Sequence, residues 1–139
     1  MLPLMLLTAV RTAAQRTATV YKDPTCGCCT KWVDLLRTNG FTVTIRNLSE
    51  LDRSRYPVPA ALRSCHTAIL EGHIVEGHVP IADVERMLKQ GTGVAGVAVP
   101  GMPIGSPGME VPGTAPQAFD VIAFDKTGSS RVFATHGRG

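Results

Sequence analysis

Three of the four cysteines in this 139-residue chain fall within four positions, in Thr25-Cys26-Gly27-Cys28-Cys29-Thr30-Lys31-Trp32. The cluster lies between a strand-like run, Ala18 to Tyr21, and a helix-like one, Lys31 to Thr38. Any fold of this chain must therefore carry three sulfurs at one strand-to-helix turn. Cys26 and Cys29 have the C-x-x-C spacing shared by thiol–disulfide enzymes and many metal knuckles. Cys28 is surplus to a dithiol switch, which needs two sulfurs. A helix N-terminus offers unpaired N–H groups and the positive end of the helix dipole, and both favour thiolate over thiol. The turn is thus predicted to hold nucleophilic sulfurs or a soft-metal site.

The surrounding pattern predicts the frame. Ala18-Thr19-Val20-Tyr21-Lys22 is a strand by its β-branched and aromatic content. Asp23-Pro24-Thr25 breaks it, and from Cys28 onward Trp32, Leu35 and Leu36 recur at helical spacing until Asn39-Gly40. Phe41 to Ile45 alternates as a second strand, completing a β-α-β unit with its cysteines at the carboxyl end of the first strand, where α/β sheets place their chemistry. Leu48 to Tyr56 is a short helix or turn starting at Ser49, and Pro59 opens another through Arg63. The fourth cysteine follows in Ser64-Cys65-His66-Thr67. Thr67 to Leu70 and His73 to Glu76 then form a hairpin around Glu71-Gly72. Pro80 opens an amphipathic helix with Ile81, Val84, Met87 and Leu88 on one face, ended by Gly91. Residues 91 to 118 are dense in Pro and Gly without a period, yet too rich in Val, Met and Ile for a disordered linker. They are expected to form an ordered loop. Phe119 to Phe124 and Arg131 to Ala134 close the chain as a second hairpin around Lys126-Thr127-Gly128-Ser129. The fold class is α/β: a thioredoxin-like mixed sheet with flanking helices, a long Pro/Gly/Met loop and an additional C-terminal hairpin.

Length and charge narrow the partners. The chain suits one domain over residues 16 to 139. Its net charge of +3 is spread without a basic run or an aromatic-and-basic footprint, so no nucleic-acid partner is expected. No segment reaches the roughly 18 apolar residues of a membrane span. Leu2 to Val10 is a short apolar run followed by Arg11 and the small residues Thr12-Ala13-Ala14. We read residues 1 to 15 as the remnant of an export signal, although no basic segment precedes Leu2; a first helix or a disordered leader is the plainer alternative. Export would place the cysteines in an oxidising compartment. Disulfides alone are a poor explanation for them, because adjacent Cys28 and Cys29 cannot bridge without strain and short loops gain little from a staple.

Three chemistries fit the sulfurs. The first is soft-metal binding: thiolates and thioethers select Cu(I) over harder cations. If Cys65 folds back beside Cys26, Cys28 and Cys29, the sulfurs exceed the need of one ion and suggest bridging thiolates and a polynuclear copper cluster. Met102 and Met109 on the loop can cap it, and His66 can add a nitrogen. The second is thiol–disulfide exchange, with Cys26 attacking and Cys29 resolving; Cys28 and Cys65 would then be idle competitors. The third is a structural zinc site ligated by four cysteines. Of the remaining candidates, Met87 and Trp32 are expected in the core. His73 and His78 are expected as polar hairpin residues, His136 as solvated, and Lys22 and Lys31 as solvated surface charge.

Four motifs in order resemble the CopG-type copper-resistance proteins, long catalogued as a domain of unknown function. They are Val20-Tyr21-Lys22-Asp23-Pro24-Thr25-Cys26-Gly27-Cys28-Cys29, Ser64-Cys65-His66-Thr67-Ala68, Glu76-Gly77-His78-Val79-Pro80, and Val99-Pro100-Gly101-Met102-Pro103 through Ser106-Pro107-Gly108-Met109-Glu110. The resemblance runs from residue 18 to about 135 and is far more specific than a lone C-x-x-C. It implies a periplasmic thioredoxin-like protein of copper tolerance that interconverts Cu(I) and Cu(II) and works beside other copper-handling proteins. The matching ligand positions are Cys26, Cys28, Cys29 and Cys65, with Met102 and Met109 as the loop thioethers.

Overall fold

A computed structural model describes residues 16–90 and 93–137. The leader reading of residues 1–15 and the helix stop at Gly91 lie outside the described residues. The elements run β1 (Thr17–Lys22), α1 (Gly27–Thr38), β2 (Thr42–Asn47), β3 (His66–Leu70), β4 (His73–Glu76), α2 (Ile81–Gln90), β5 (Gly96–Ala98), β6 (Phe119–Phe124) and β7 (Ser130–His136). Two short 3-10 turns, Leu48–Glu50 and Ala60–Leu62, fall between β2 and β3. One mixed sheet has the order β2-β1-β3-β4-β5-β6-β7. β1 pairs parallel with β2 and β4 with β5, and every other pairing is antiparallel. This is a thioredoxin-like mixed sheet with flanking helices, extended at one edge by the β6–β7 hairpin.

Alternation along the strands sorts the core into two layers. Val20, Ala68, Leu70, Val75, Val97 and Val121 pack with Trp32, Val33 and Leu36 of α1 and with Val84 and Met87 of α2. The intervening residues Ile74, Ala98 and Phe124 pack instead on Val58, with Ile69, Tyr56 and Leu62 beside them. The segment after β2 therefore covers the sheet face that both helices leave. Its first turn is fastened by a capping box: Asn47 Oδ1 accepts from the Ser49 N–H at 3.0 Å, and Glu50 Oε2 from the Asn47 N–H at 2.9 Å.

Two placements differ from expectation. The stretch 91–118 contains β5, which is buried along its whole length. A strand covered on both faces shows no polar alternation to mark it. His136, expected to be solvated, meets the mostly buried Asp83 of α2 at 2.6 Å and stacks on Phe119 at 5.1 Å between ring centroids. That pair ties β7 to α2.

Candidate metal centre

The cysteine turn is shaped before any metal is invoked. Asp23 Oδ1 accepts from the Thr25 N–H at 2.8 Å and its hydroxyl at 2.6 Å, and the Cys26 N–H donates to the Asp23 carbonyl at 3.0 Å. This Asx turn ends β1 and starts α1. Cys26 is the N-cap residue, in extended conformation, with no side-chain cap bond. The Cys26 sulfur is consequently left free to meet that of Cys28, on the second helical residue, with Cys29 on the third. The Cys26 and Cys28 sulfurs stand 3.3 Å apart, while Cys29 is fully buried beneath them.

Cys65 precedes β3, antiparallel neighbour of β1, and so arrives at the same sheet end. The ligand atoms of Cys26, Cys28, Cys29 and Cys65 all lie within 4.8 Å of one another. All four cysteines are free. A second group, Cys29, Cys65, His66 and His78, satisfies the same 4.8 Å limit and shares two sulfurs with the first. The centre thus has four sulfurs with two imidazoles behind them. Both imidazoles are fully buried, and the Trp32 ring lies 4.6 Å from that of His66.

His78 was expected to be a structural hairpin residue, yet its Nε2 stands 3.3 Å from Cys65 Sγ. Its Nδ1 lies 2.7 Å from the Pro107 carbonyl. A carbonyl only accepts, so Nδ1 carries a proton and Nε2 is the atom turned to the sulfurs. Fixing one ring nitrogen on a carbonyl is how proteins orient a metal-binding histidine. The hairpin register held the signal: β3 pairs Leu70 with His73 and Thr67 with Glu76. Extending that register by two residues sets Cys65 opposite His78. His66 Nδ1 approaches Cys65 Sγ to 3.4 Å, and its buried Nε2 has no hydrogen-bond partner among the described residues.

The thiols do not titrate as a helix N-terminus alone would have them. Burial, followed by the neighbouring Cys26 sulfur, pushes the Cys28 thiol up to about 11. Cys29 is raised too, by its interaction with Cys65 and then by burial. Cys65 moves the other way, toward the thiolate. The Cys29 thiol lowers its pKa most, and His66 and His78 add to this against the cost of burial. Burial alone would lower His78, but bonding to Cys65 and to the Pro107 carbonyl raises it above the ordinary imidazole. His66 is lowered by its burial. At Cys28 and Cys29, burial and neighbouring sulfurs therefore act against the thiolate form.

The floor beneath Cys65 is a buried carboxyl. Glu76 Oε2 accepts from the Ser64 N–H at 3.3 Å, and Glu76 Oε1 bonds the Thr67 hydroxyl. Arg53 donates to the same hydroxyl at 3.4 Å. Burial pushes Glu76 up to about 7. Lys22, expected at the surface, is buried, with its ammonium on the Asp23 carbonyl at 3.1 Å.

The loop after β5 closes over this end of the molecule. The Ser64 hydroxyl donates to the Gly101 carbonyl at 2.7 Å, holding Met102 with its sulfur 3.8 Å from Cys28 Sγ. Gly108, at φ +87°, passes so close to α1 that a Cβ would lie 3.2 Å from the Cys28 carbonyl. Met109 follows it, half-buried and tied by backbone bonds to Ser106 and Gly105.

A thioredoxin-like sheet with thiols and imidazoles converging at the end of β1 defines a metal-binding protein of the thiolate–imidazole class. Residues 62–109 match the family described as "Protein of unknown function, DUF411". Two solved structures of copper resistance protein CopG align with most of the chain. Form 2 is 40% identical, covering 87% of this chain and 98% of that one, with a TM-score of 0.79. Form 1 is 41% identical, covering 86% and 96%, with a TM-score of 0.78. No curated protein matches. The chain belongs to the CopG-type copper-resistance family, and its role is copper-related metal binding. Among the described residues, no helix is long and apolar enough to cross a membrane.

Proposed function

We propose that the protein sequesters Cu(I) for copper tolerance, with Cys26, Cys28, Cys29 and Cys65 as sulfur ligands and His66 and His78 as nitrogen ligands. The observation that carries the reading is the pair of overlapping ligand groups sharing Cys29 and Cys65. Two sulfurs common to two sets suit bridging thiolates, which supports a cargo of more than one copper per chain. Soft thiolates favour Cu(I), and the imidazoles behind them widen the donor set to one that also tolerates Cu(II), supporting interconversion of the two states. Met102 belongs to the rim of the same centre, its sulfur 3.8 Å from that of Cys28. The family membership and the apolar leader-like run at residues 2–10 support work in the periplasm, beside other copper-handling proteins.

Simple dithiol exchange fits less well, because Cys28 stands 3.3 Å from Cys26 as a competitor, and Cys29 is buried with its thiol raised. Titrating the reduced protein with Cu(I) against a competing chelator tests the proposal. More than one tightly held Cu(I) per chain is expected, with a lower stoichiometry in Cys28→Ser. An unchanged stoichiometry in that variant would overturn the cluster. A Cys28→Ala, Cys65→Ala protein that kept full disulfide-reductase turnover would favour the dithiol chemistry, and preferential retention of Zn(II) would favour a structural zinc site.

A further inference from the structure

The donor residues of the centre differ in their exposure to solvent. Met102 is 49% exposed, Cys26, Cys28 and Cys65 are half-buried, and Cys29, His66 and His78 have no exposure. Met102 is also the outermost sulfur in direct reach of the cluster, 3.8 Å from Cys28, which in turn lies 3.3 Å from Cys26. About half of this apolar side chain is left in water, where its sulfur can meet copper arriving from solvent. Its place is nonetheless fixed, since the preceding residue's carbonyl accepts the Ser64 hydroxyl and Ser64 adjoins Cys65. Met109 lacks this exposure.

A thioether is neutral and soft: it binds Cu(I) without losing a proton, whereas a thiol must become thiolate to bind well. Resting on the Cu(I)-thiolate reading above, we infer that Met102 is the capture ligand of the centre, the first protein atom to take Cu(I) from a donor, which it hands to Cys28 without remaining bound. The donor is a Cu(I) complex with labile soft or imidazole ligands. One donor–copper bond breaks as the Met102 sulfur–copper bond forms. The Cys28 sulfur–copper bond then forms as the thioether leaves, the remaining donor–copper bonds break as further cysteine sulfurs of the centre bind, and the thiol protons pass to solvent. Copper stays Cu(I) throughout, so no oxidant or reductant is needed.

Stopped-flow transfer of Cu(I) from its coloured bicinchoninate complex to the reduced full-length protein separates capture from retention. Met102→Leu keeps an apolar side chain of similar size at a half-exposed position and is expected to fold. Its capture rate falls by about tenfold or more, a barrier increase of about 1.4 kcal/mol, while stoichiometry and affinity in equilibrium competition stay at the wild-type values. Met109→Leu captures at the wild-type rate. A wild-type capture rate in Met102→Leu would overturn the inference. So would a matching loss of equilibrium affinity, which would make Met102 a resident ligand. Failure of the wild-type protein to retain Cu(I) at equilibrium would instead sink the underlying reading.

Discussion

Replacing Glu76 with glutamine isolates the electrostatics of the floor of the centre. An ordinary glutamate carboxyl titrates near 4.5, whereas burial moves that of Glu76 to about 7. The fold therefore favours the protonated acid. Its stabilising contribution is fully present below pH 4.5 and is lost as the pH rises through about 7. At about 1.4 kcal/mol per pH unit, ionisation inside the fold costs about 3 kcal/mol relative to the unfolded chain. Glutamine keeps an acceptor for the Ser64 N–H and a polar partner for the Thr67 hydroxyl, but it does not ionise. Urea melts of reduced, metal-free protein should show the Glu76→Gln variant gaining about 3 kcal/mol on the wild type between pH 4.5 and 8. With m of about 1–3 kcal/mol/M, that is a relative midpoint shift of about 1–3 M. Cysteine and histidine titrations are common to both proteins and cancel to first order in the difference. A wild-type-to-variant gap that stays constant over this range would refute the assignment of a buried, neutral Glu76.

Three further perturbations probe the scaffold. Gly77 sits at φ +76°, and a Cβ there would lie 2.6 Å from the Val99 carbonyl and 2.9 Å from Ser64. Gly77→Ala should cost about 2–5 kcal/mol in urea denaturation, summing left-handed backbone strain and overpacking, and should weaken Cu(I) retention by displacing the Cys65 approach. Trp32 Nε1 donates to the Val79 carbonyl at 2.9 Å. Trp32→Phe leaves that carbonyl without its donor and should lower stability by about 1–3 kcal/mol, read from the same melts. In metal-free protein near pH 7, iodoacetamide should alkylate Cys65 ahead of Cys28, because the Cys65 thiol is lowered and Cys28 is pushed up to about 11. Peptide mass spectrometry at partial modification reads this order, and labelling of Cys28 first would contradict it.

Much of the scaffold was legible because its signals are local. Trp32, Leu35 and Leu36 mark α1 by period, Glu71-Gly72 marks the β3–β4 turn, and the Met87 face marks α2. The Cys-Gly-Cys-Cys turn could be placed at a sheet edge because strand content precedes it and helical spacing follows it. What escaped was set by tertiary context. Gly96-Val97-Ala98 forms a three-residue strand buried on both sides, so it resembled its Pro/Gly-rich surroundings. Lys22 looked like a surface charge but ends β1 on the buried side. His78 looked like hairpin polarity because spacing was judged along the chain rather than across the hairpin register. The titration order of the thiols was hidden for a related reason: it depends on Cys65 and two imidazoles arriving from elsewhere in the sheet.

X-ray absorption at the copper edge of the copper-loaded, reduced protein tests the central claim most directly. A shell dominated by sulfur near 2.3 Å, the usual metal–thiolate distance, together with imidazole scattering that weakens in a His66→Ala, His78→Ala variant, is the predicted result. A shell of oxygen and nitrogen alone, or a spectrum unchanged when Cys65 is replaced by serine, would contradict it.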